Sequence, residues 1–204
     1  MARLPSYLLR FRGLLRGIAM KKLRFQRKLV ALLVIAISSS HIPASQAAGA
    51  MPAQQKKFID IIQKGAKAYG DAKTDLKSSI ALRKRDKDAC AVLNNLNATN
   101  WVGKITDIGA NREGKAYIQI EIDSKIRVQT WSNAFSDMND NTLIPENSKV
   151  FNAIIDGEDG SPITFSAKFI KGDKTCLKGT NLTEYFYATD PKFVVKITAA
   201  KLGK

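Results

Sequence analysis

The chain holds a single histidine, His41, among 204 residues. It has two cysteines, Cys90 and Cys176, two tryptophans, and no Cys-x-x-Cys pair. Its longest unbroken apolar run, Leu29–Ile37 (LVALLVIAI), is nine residues. A membrane-spanning helix needs roughly 20, so no permanent anchor is expected. Two thiols are too few for a four-thiolate zinc site. The missing Cys-x-x-Cys spacing argues against a redox-active pair. Asp and Glu are absent from residues 1–50, which carry nine Lys and Arg.

What is present in that stretch has an order. Met20 precedes the basic segment Lys21–Lys28, then the apolar run, then the small polar tail Ser38–Ala50. Basic, apolar and small-residue segments in that succession are the pattern of an export signal. Residues 1–50 are therefore expected to be a signal peptide of bacterial type, opening at Met1 or Met20 and cut after Ala47 or after Ala50. A retained interfacial segment is the alternative. No Cys lies near either cut, and no Arg-Arg pair precedes the run, so neither a lipid-modified N-terminus nor the twin-arginine route is supported. The expected location is periplasmic or secreted.

Removing this leader changes the rest. His41 goes with it, which excludes Ser-His and Cys-His nucleophilic sites and any His-ligated metal. No cofactor is implied. The formal charge falls from +15 to +6, with 24 basic against 18 acidic residues remaining. Residues 51–90 keep a net +5, and residues 91–204 a net +1. A basic patch attracts polyanions, whereas a near-neutral body does not favour nucleic acid.

From Pro52 to about Ala89 the period is helical. Phe58, Ile61, Ile62, Tyr69, Ala72, Leu76 and Ile80 form one apolar stripe, to be buried against the following domain or a partner. Lys56, Lys57, Lys64, Lys67, Lys73, Lys77 and Arg83–Arg85 form the opposite, solvated face. Gly65 and Gly70 weaken the middle, so a bend or break is expected near them. Residues 51–90 thus read as a helical segment, and 91–204 as one β domain. Strands are expected at 101–108, 116–122, 126–131, 163–169 and 193–197, with Tyr185–Ala188 as a shorter candidate. Ser148 is a natural N-cap for a short helix to about Ile155. The fold class is α+β, mainly β: an N-terminal amphipathic helix and a five-stranded Greek-key barrel of OB type, with a short helix between the third and fourth strands. A β-sandwich is the alternative.

Trp101–Ile108 (WVGKITDI), Gly114–Ile122 (GKAYIQIEI), Ile126–Asp137 (IRVQTWSNAFSD), Thr142–Phe151 (TLIPENSKVF), Ile163–Phe169 and Asp190–Ile197 carry a resemblance. The chain resembles small exported bacterial proteins with an OB-fold-like domain and is similar to the tRNA-anti-like domain group, which is named for fold. The resemblance implies fold and export and supplies no catalytic residues. Where a Gly-Asp pair is expected before the fourth strand, this chain has Gly157–Pro162 (GEDGSP).

Export would carry Cys90 and Cys176 to an oxidising compartment, where a structural disulfide is expected, with two buried free thiols as the alternative. Tyr117, Arg127, Gln129 and Trp131, together with Trp101 and Phe135, form a candidate stacking surface of the kind that OB-folds offer to single strands. The competing reading puts the tryptophans in the core. Asp137, Asp140 and Glu146, and Asp156, Glu158 and Asp159, read as solvated loops, since they lack a calcium-loop spacing. Asn97-Ala98-Thr99 and Asn181-Leu182-Thr183 match a glycosylation pattern, coincidentally in a bacterial chain. The function expected is a non-enzymatic exported binding module with its ligand unassigned. The alternatives are binding of single-stranded nucleic acid or another polyanion, and a protein-partner or inhibitor role in the envelope.

Overall fold

The computed structural model describes residues 50–173 and 175–203. Met20, His41 and Ala47 lie outside the described residues, and Ala50 is exposed at their start.

The helical segment breaks at the second of the two glycines, giving α1 (Ala53–Gly70) and α2 (Asp75–Val92). The break falls after Gly70, the weaker helix former of the turn, and is fixed by Thr74. Its side chain accepts from Lys77 N at 3.3 Å, and Asp75 sits in the positive first turn of α2. The turn at 71–74 resets the helical phase. In α1 the stripe residues Phe58 and Ile62 are buried, Ile61 and Tyr69 are half-buried, and Ile59, outside the stripe, is buried as well. In α2 the buried residues are Leu82, Arg85, Asp86 and Ala89, so Leu76 and Ile80 are left in solvent. Arg85, assigned to the solvated basic face, is only 2% exposed.

Five strands close a barrel in the order β1-β2-β3-β5-β4. They are β1 (Asn97–Ala110), β2 (Ala116–Asp123), β3 (Ile126–Gln129), β4 (Pro162–Phe169) and β5 (Lys192–Leu202). A closed barrel rules out the sandwich. All pairings are antiparallel except β3 with β5. The 14-residue β1 pairs with β4 along its first half and β2 along its second, bending at bulges between Ala98 and Trp101 and between Ile105 and Asp107. Gly103 lies between these bulges, where a Cβ would come 2.6 Å from the carbonyl oxygen of Glu121. The loop Gly157–Ser161 fills the second irregularity: Gly160 N donates to Ile105 O at 2.8 Å, and Ile105 N to Ser161 O at 2.9 Å.

Alternation puts Ile118, Ile120, Ile122, Val128, Ile163, Phe165, Phe169, Phe193 and Val195 in the interior. β3 is shorter than expected because at Thr130 the ladder is only half backbone: Thr130 N donates to Ile118 O at 3.0 Å, while Ile118 N donates to Thr130 Oγ1 at 3.0 Å. The following polar stretch contains a one-turn helix, α3 (Ala134–Asp137), capped by Asn133. Ser148 caps α4 (Lys149–Ile154), which closes one pole of the barrel, with Ile154 buried. Tyr185–Ala188 is not a strand. It belongs to α5 (Glu184–Thr189), whose N-cap Thr183 accepts from Phe186 N at 3.2 Å. Aromatic β-propensity suggested a strand there, but a cap and Glu184 in the first turn favour a helix.

α1 closes the opposite pole. Phe58 packs its ring 5.2–5.6 Å from those of Trp101, Phe169 and Phe193. Two glutamines fix the helix to β1 where that strand changes partner. Gln55, fully buried, accepts from Val102 N at 2.9 Å and donates to Val102 O at 2.6 Å, completing a ladder position that no strand fills. Gln54 accepts from Trp101 Nε1 at 3.0 Å and donates to Val92 O and Asn97 O.

A disulfide joins Cys90, near the end of α2, to Cys176 in the β4–α5 loop, with Cα atoms 6.2 Å apart. It closes a loop with a sequence separation of 86. Restricting the unfolded chain in this way is worth roughly 4–5 kcal/mol by the loop-entropy relation.

Candidate functional site

The pleat of β2 and β3 brings Tyr117, Gln119, Glu121, Arg127 and Gln129 to one outer face, all half-buried. Tyr117, Arg127 and Gln129 are thus together. Trp131 stands beyond the end of β3, also half-buried. Two other aromatics considered for this surface are elsewhere. Trp101 is fully buried against Phe58 and Phe169, because the β1 bulge turns it inward. Phe135 projects from α3, 84% exposed.

The polar groups of this face are bonded to one another. Gln119 Nε2 donates to Gln129 Oε1 at 2.6 Å, and Thr106 Oγ1 to Gln119 Oε1 at 3.1 Å. Arg127 Nη1 donates to Asp190 Oδ1 at 2.9 Å, and Arg127 Nε lies 3.8 Å from Glu121. Trp131 Nε1 donates to Asp140 Oδ2 at 2.7 Å, and Lys178 Nζ holds both oxygens of Asp140 at 2.8 and 2.9 Å. Tyr117 lies over Gly109, where a Cβ would come 2.5 Å from its hydroxyl. Two cations here meet three carboxylates, so the face has no surplus positive charge for phosphates.

The acidic loop is not wholly solvated. Asp137 is buried and accepts from Thr142 N, Thr142 Oγ1 and Leu143 N, folding the loop around its carboxylate. Its signal is local, an Asx residue in an Asn/Asp-rich turn that folds back on its own carboxylate.

A second constellation lies beneath the α1–α2 hairpin, and periodicity gave no hint of it. Arg85 Nη2 donates to Asp86 Oδ1 at 2.8 Å, and Arg85 Nη1 to Tyr187 O at 2.7 Å. Its guanidinium stacks 4.5 Å from the centre of the Tyr187 ring. Tyr187 Oη donates to Asp86 Oδ2 at 3.2 Å, closing the set. Gly65 admits the stem of Arg85: a Cβ there would lie 2.4 Å from Arg85 Cγ. Burial, and then the Asp86 charge, push the Tyr187 phenol above its ordinary value, so it stays a proton donor at any physiological pH.

Beside these residues runs a groove of about 570 Å³ between α2 and the segment leading into α5, lined in part by Ser79, Arg83, Asp86, Leu182, Glu184 and Tyr187. A smaller hollow of about 300 Å³, sharing Arg83 and Asp86 with it, reaches the disulfide. Among the described residues no buried side-chain polar atom lacks a partner. No family model matches the chain, and no curated protein or solved structure matches it.

Proposed function

We propose that the chain is a non-enzymatic exported protein, periplasmic or secreted, whose barrel serves as an OB-type binding module in the cell envelope. The Cys90–Cys176 disulfide carries this reading, because such a bond persists in oxidising compartments and is rare in the cytosol. The leader pattern of residues 20–50 points the same way. The OB-type assignment draws support from the closed order β1-β2-β3-β5-β4, the parallel β3–β5 closure and the helix α4 between β3 and β4. The same features support the likeness to the tRNA-anti-like group.

Binding of single-stranded nucleic acid is the weaker reading, since Arg127 and Lys178 are already neutralised by Asp190, Glu121 and Asp140. A polyanion would have to engage the exposed lysines of α1 and α2 instead.

Cell fractionation with intact-mass measurement tests the proposal. The chain is expected outside the cytoplasm, beginning at Ala48 or Met51, two protons lighter than its reduced form. A cytosolic chain beginning at Met1 or Met20 with two alkylatable thiols overturns it.

A further inference from the structure

The phase change between α1 and α2 leaves an apolar surface without a partner. Leu76 and Ile80, one turn apart on α2, are each more than half exposed, and so are Tyr185 and Phe186 on α5. Leu182, just before α5, is 99% exposed. These residues come from segments about 100 positions apart, and the structure ties them together. Ser79, between Leu76 and Ile80, donates to both carboxylate oxygens of Glu184 at 3.3 and 3.4 Å. The rings of Tyr185 and Phe186 are in contact, with centroids 5.5 Å apart. Tyr69, at the end of α1, adjoins them: partial burial first, then the charges of Glu184 and Asp75 and the neighbouring Tyr185, push its phenol upward.

A soluble surface seldom groups five large apolar side chains, and such patches mark protein or membrane contacts. The electrostatics favour the membrane. Residues 51–90 hold a net +5 of the charge, against +1 for residues 91–204, so the excess sits on α1 and α2, beside the α5 residues that complete the patch. Lys73, Lys77 and Arg83 are exposed around it and make no ion pair among the described residues. Asp71, paired with Lys67, and Asp75 and Glu184 are the acids nearby, and Glu184 is held by Ser79. The apolar side chains stand on helix starts and a loop and project into solvent. A fluid interface accommodates projecting side chains, whereas a folded partner must present a matching hollow. Tyr, Phe and Leu ringed by Lys and Arg suit the boundary between headgroups and acyl chains.

We propose that the tip formed by the α1–α2 turn and α5 is a membrane-docking surface that inserts Leu182, Tyr185 and Phe186 into the interface of an anionic bilayer. Lys73, Lys77 and Arg83 would meet its headgroups. The inference names a partner for the exported module, but the two readings fail separately, one in the N-terminal mass and the other in sedimentation.

The test is co-sedimentation of the purified chain, its N-terminus read by mass spectrometry, with vesicles of phosphatidylcholine alone or mixed with phosphatidylglycerol. Binding to the anionic vesicles is expected, weakening as salt is raised above about 0.1 M. The double variant L182S/F186S should weaken binding more than about tenfold, and K73E/K77E at least about tenfold. All four positions are exposed, so a retained disulfide and an unchanged melting point are expected in both variants.

Absence of binding to anionic vesicles overturns the proposal. So does loss in K73E/K77E with none in L182S/F186S, which would mean polyanion capture without insertion. Equal binding by both variants and the parent would assign the affinity to another part of the chain. A concentration-dependent dimer that L182S/F186S dissolves would make a second copy the occupant.

Discussion

Two arginines grip a carboxylate at nearly the same distance in opposite surroundings. Arg85 lies 2.8 Å from Asp86 with both side chains almost wholly buried, whereas Arg127 lies 2.9 Å from Asp190 with each side chain still a fifth to a third exposed. The first pair is enclosed by Gly65, Tyr187 and Phe193, and the α5 carbonyls of Tyr187 and Ala188 accept from Arg85 Nη1. The second can exchange its partners for water. Geometry alike and solvation different means energy different: a buried charge cannot lose its partner without great cost, and a wet one can. The hairpin pole therefore uses its polar groups to hold the helices on the barrel. The β2–β3 face keeps its polar groups accessible but balanced.

The largest effect should separate these regions by the crosslink. Replacing both cysteines, C90S/C176S, removes the bond that ties α2 to the β4–α5 loop. Chemical denaturation should show a loss of roughly 4–5 kcal/mol, or less if the reduced unfolded chain keeps structure. Hydrogen exchange should rise first in α2 and α5, with the β2–β3 ladder still protected. Uniform deprotection of the barrel would break the distinction, because it would make the crosslink a support for the whole fold.

The next effect sets the two arginines against each other. Arg85→Met keeps much of the stem volume beside Gly65 and leaves Asp86 buried with one hydroxyl donor, Tyr187. It should cost about 3–5 kcal/mol. Arg127→Met should cost about 0–1 kcal/mol, since Asp190 and Glu121 can be rehydrated. Paired urea titrations measure both. Equal losses would mean that solvation does not distinguish the pairs.

Much of the β domain was legible because period-two alternation and turn residues are local signals. The interior of β2 follows from Ala116, Ile118, Ile120 and Ile122 alone, and Ser148 marks α4 without help from the fold. The disulfide was legible from two thiols that follow a leader-like pattern. The helices were legible as helices but not as a hairpin, because their relative phase depends on how Thr74 terminates one and starts the other. Arg85 illustrates the limit. In the sequence it belongs to a basic run, and only the approach of Gly65 and Tyr187, about 20 and 100 positions away, makes it a core residue. Tyr117, Arg127 and Gln129 share a face by simple alternation, yet the neutralisation of Arg127 by Asp190 requires the start of β5 to reach β3. Gln55 gave no signal, since its role exists only where β1 leaves a ladder position unfilled.

The smallest effect tests whether the hairpin pole is dry at Tyr187. The folded phenol lies above its ordinary value of 10.0, and the unfolded chain titrates near that value. Below about pH 10 both states hold the proton, and the folded preference for the neutral phenol is fully present. As pH rises past that point the unfolded state loses its proton first, so stability falls, by at most about 1.4 kcal/mol per pH unit from this group. Lysines also titrate there, which is why the comparison must be with Tyr187→Phe. That variant gives up hydrogen bonds to Asp86 and to Leu177 O, about 1 kcal/mol at neutral pH. Its stability should then decline less steeply between about pH 10 and 11.5 than the parent's, so the two curves converge. Parallel curves would mean that water reaches the phenol, and the contrast between a dry pole and a wet face would lose its sharpest support.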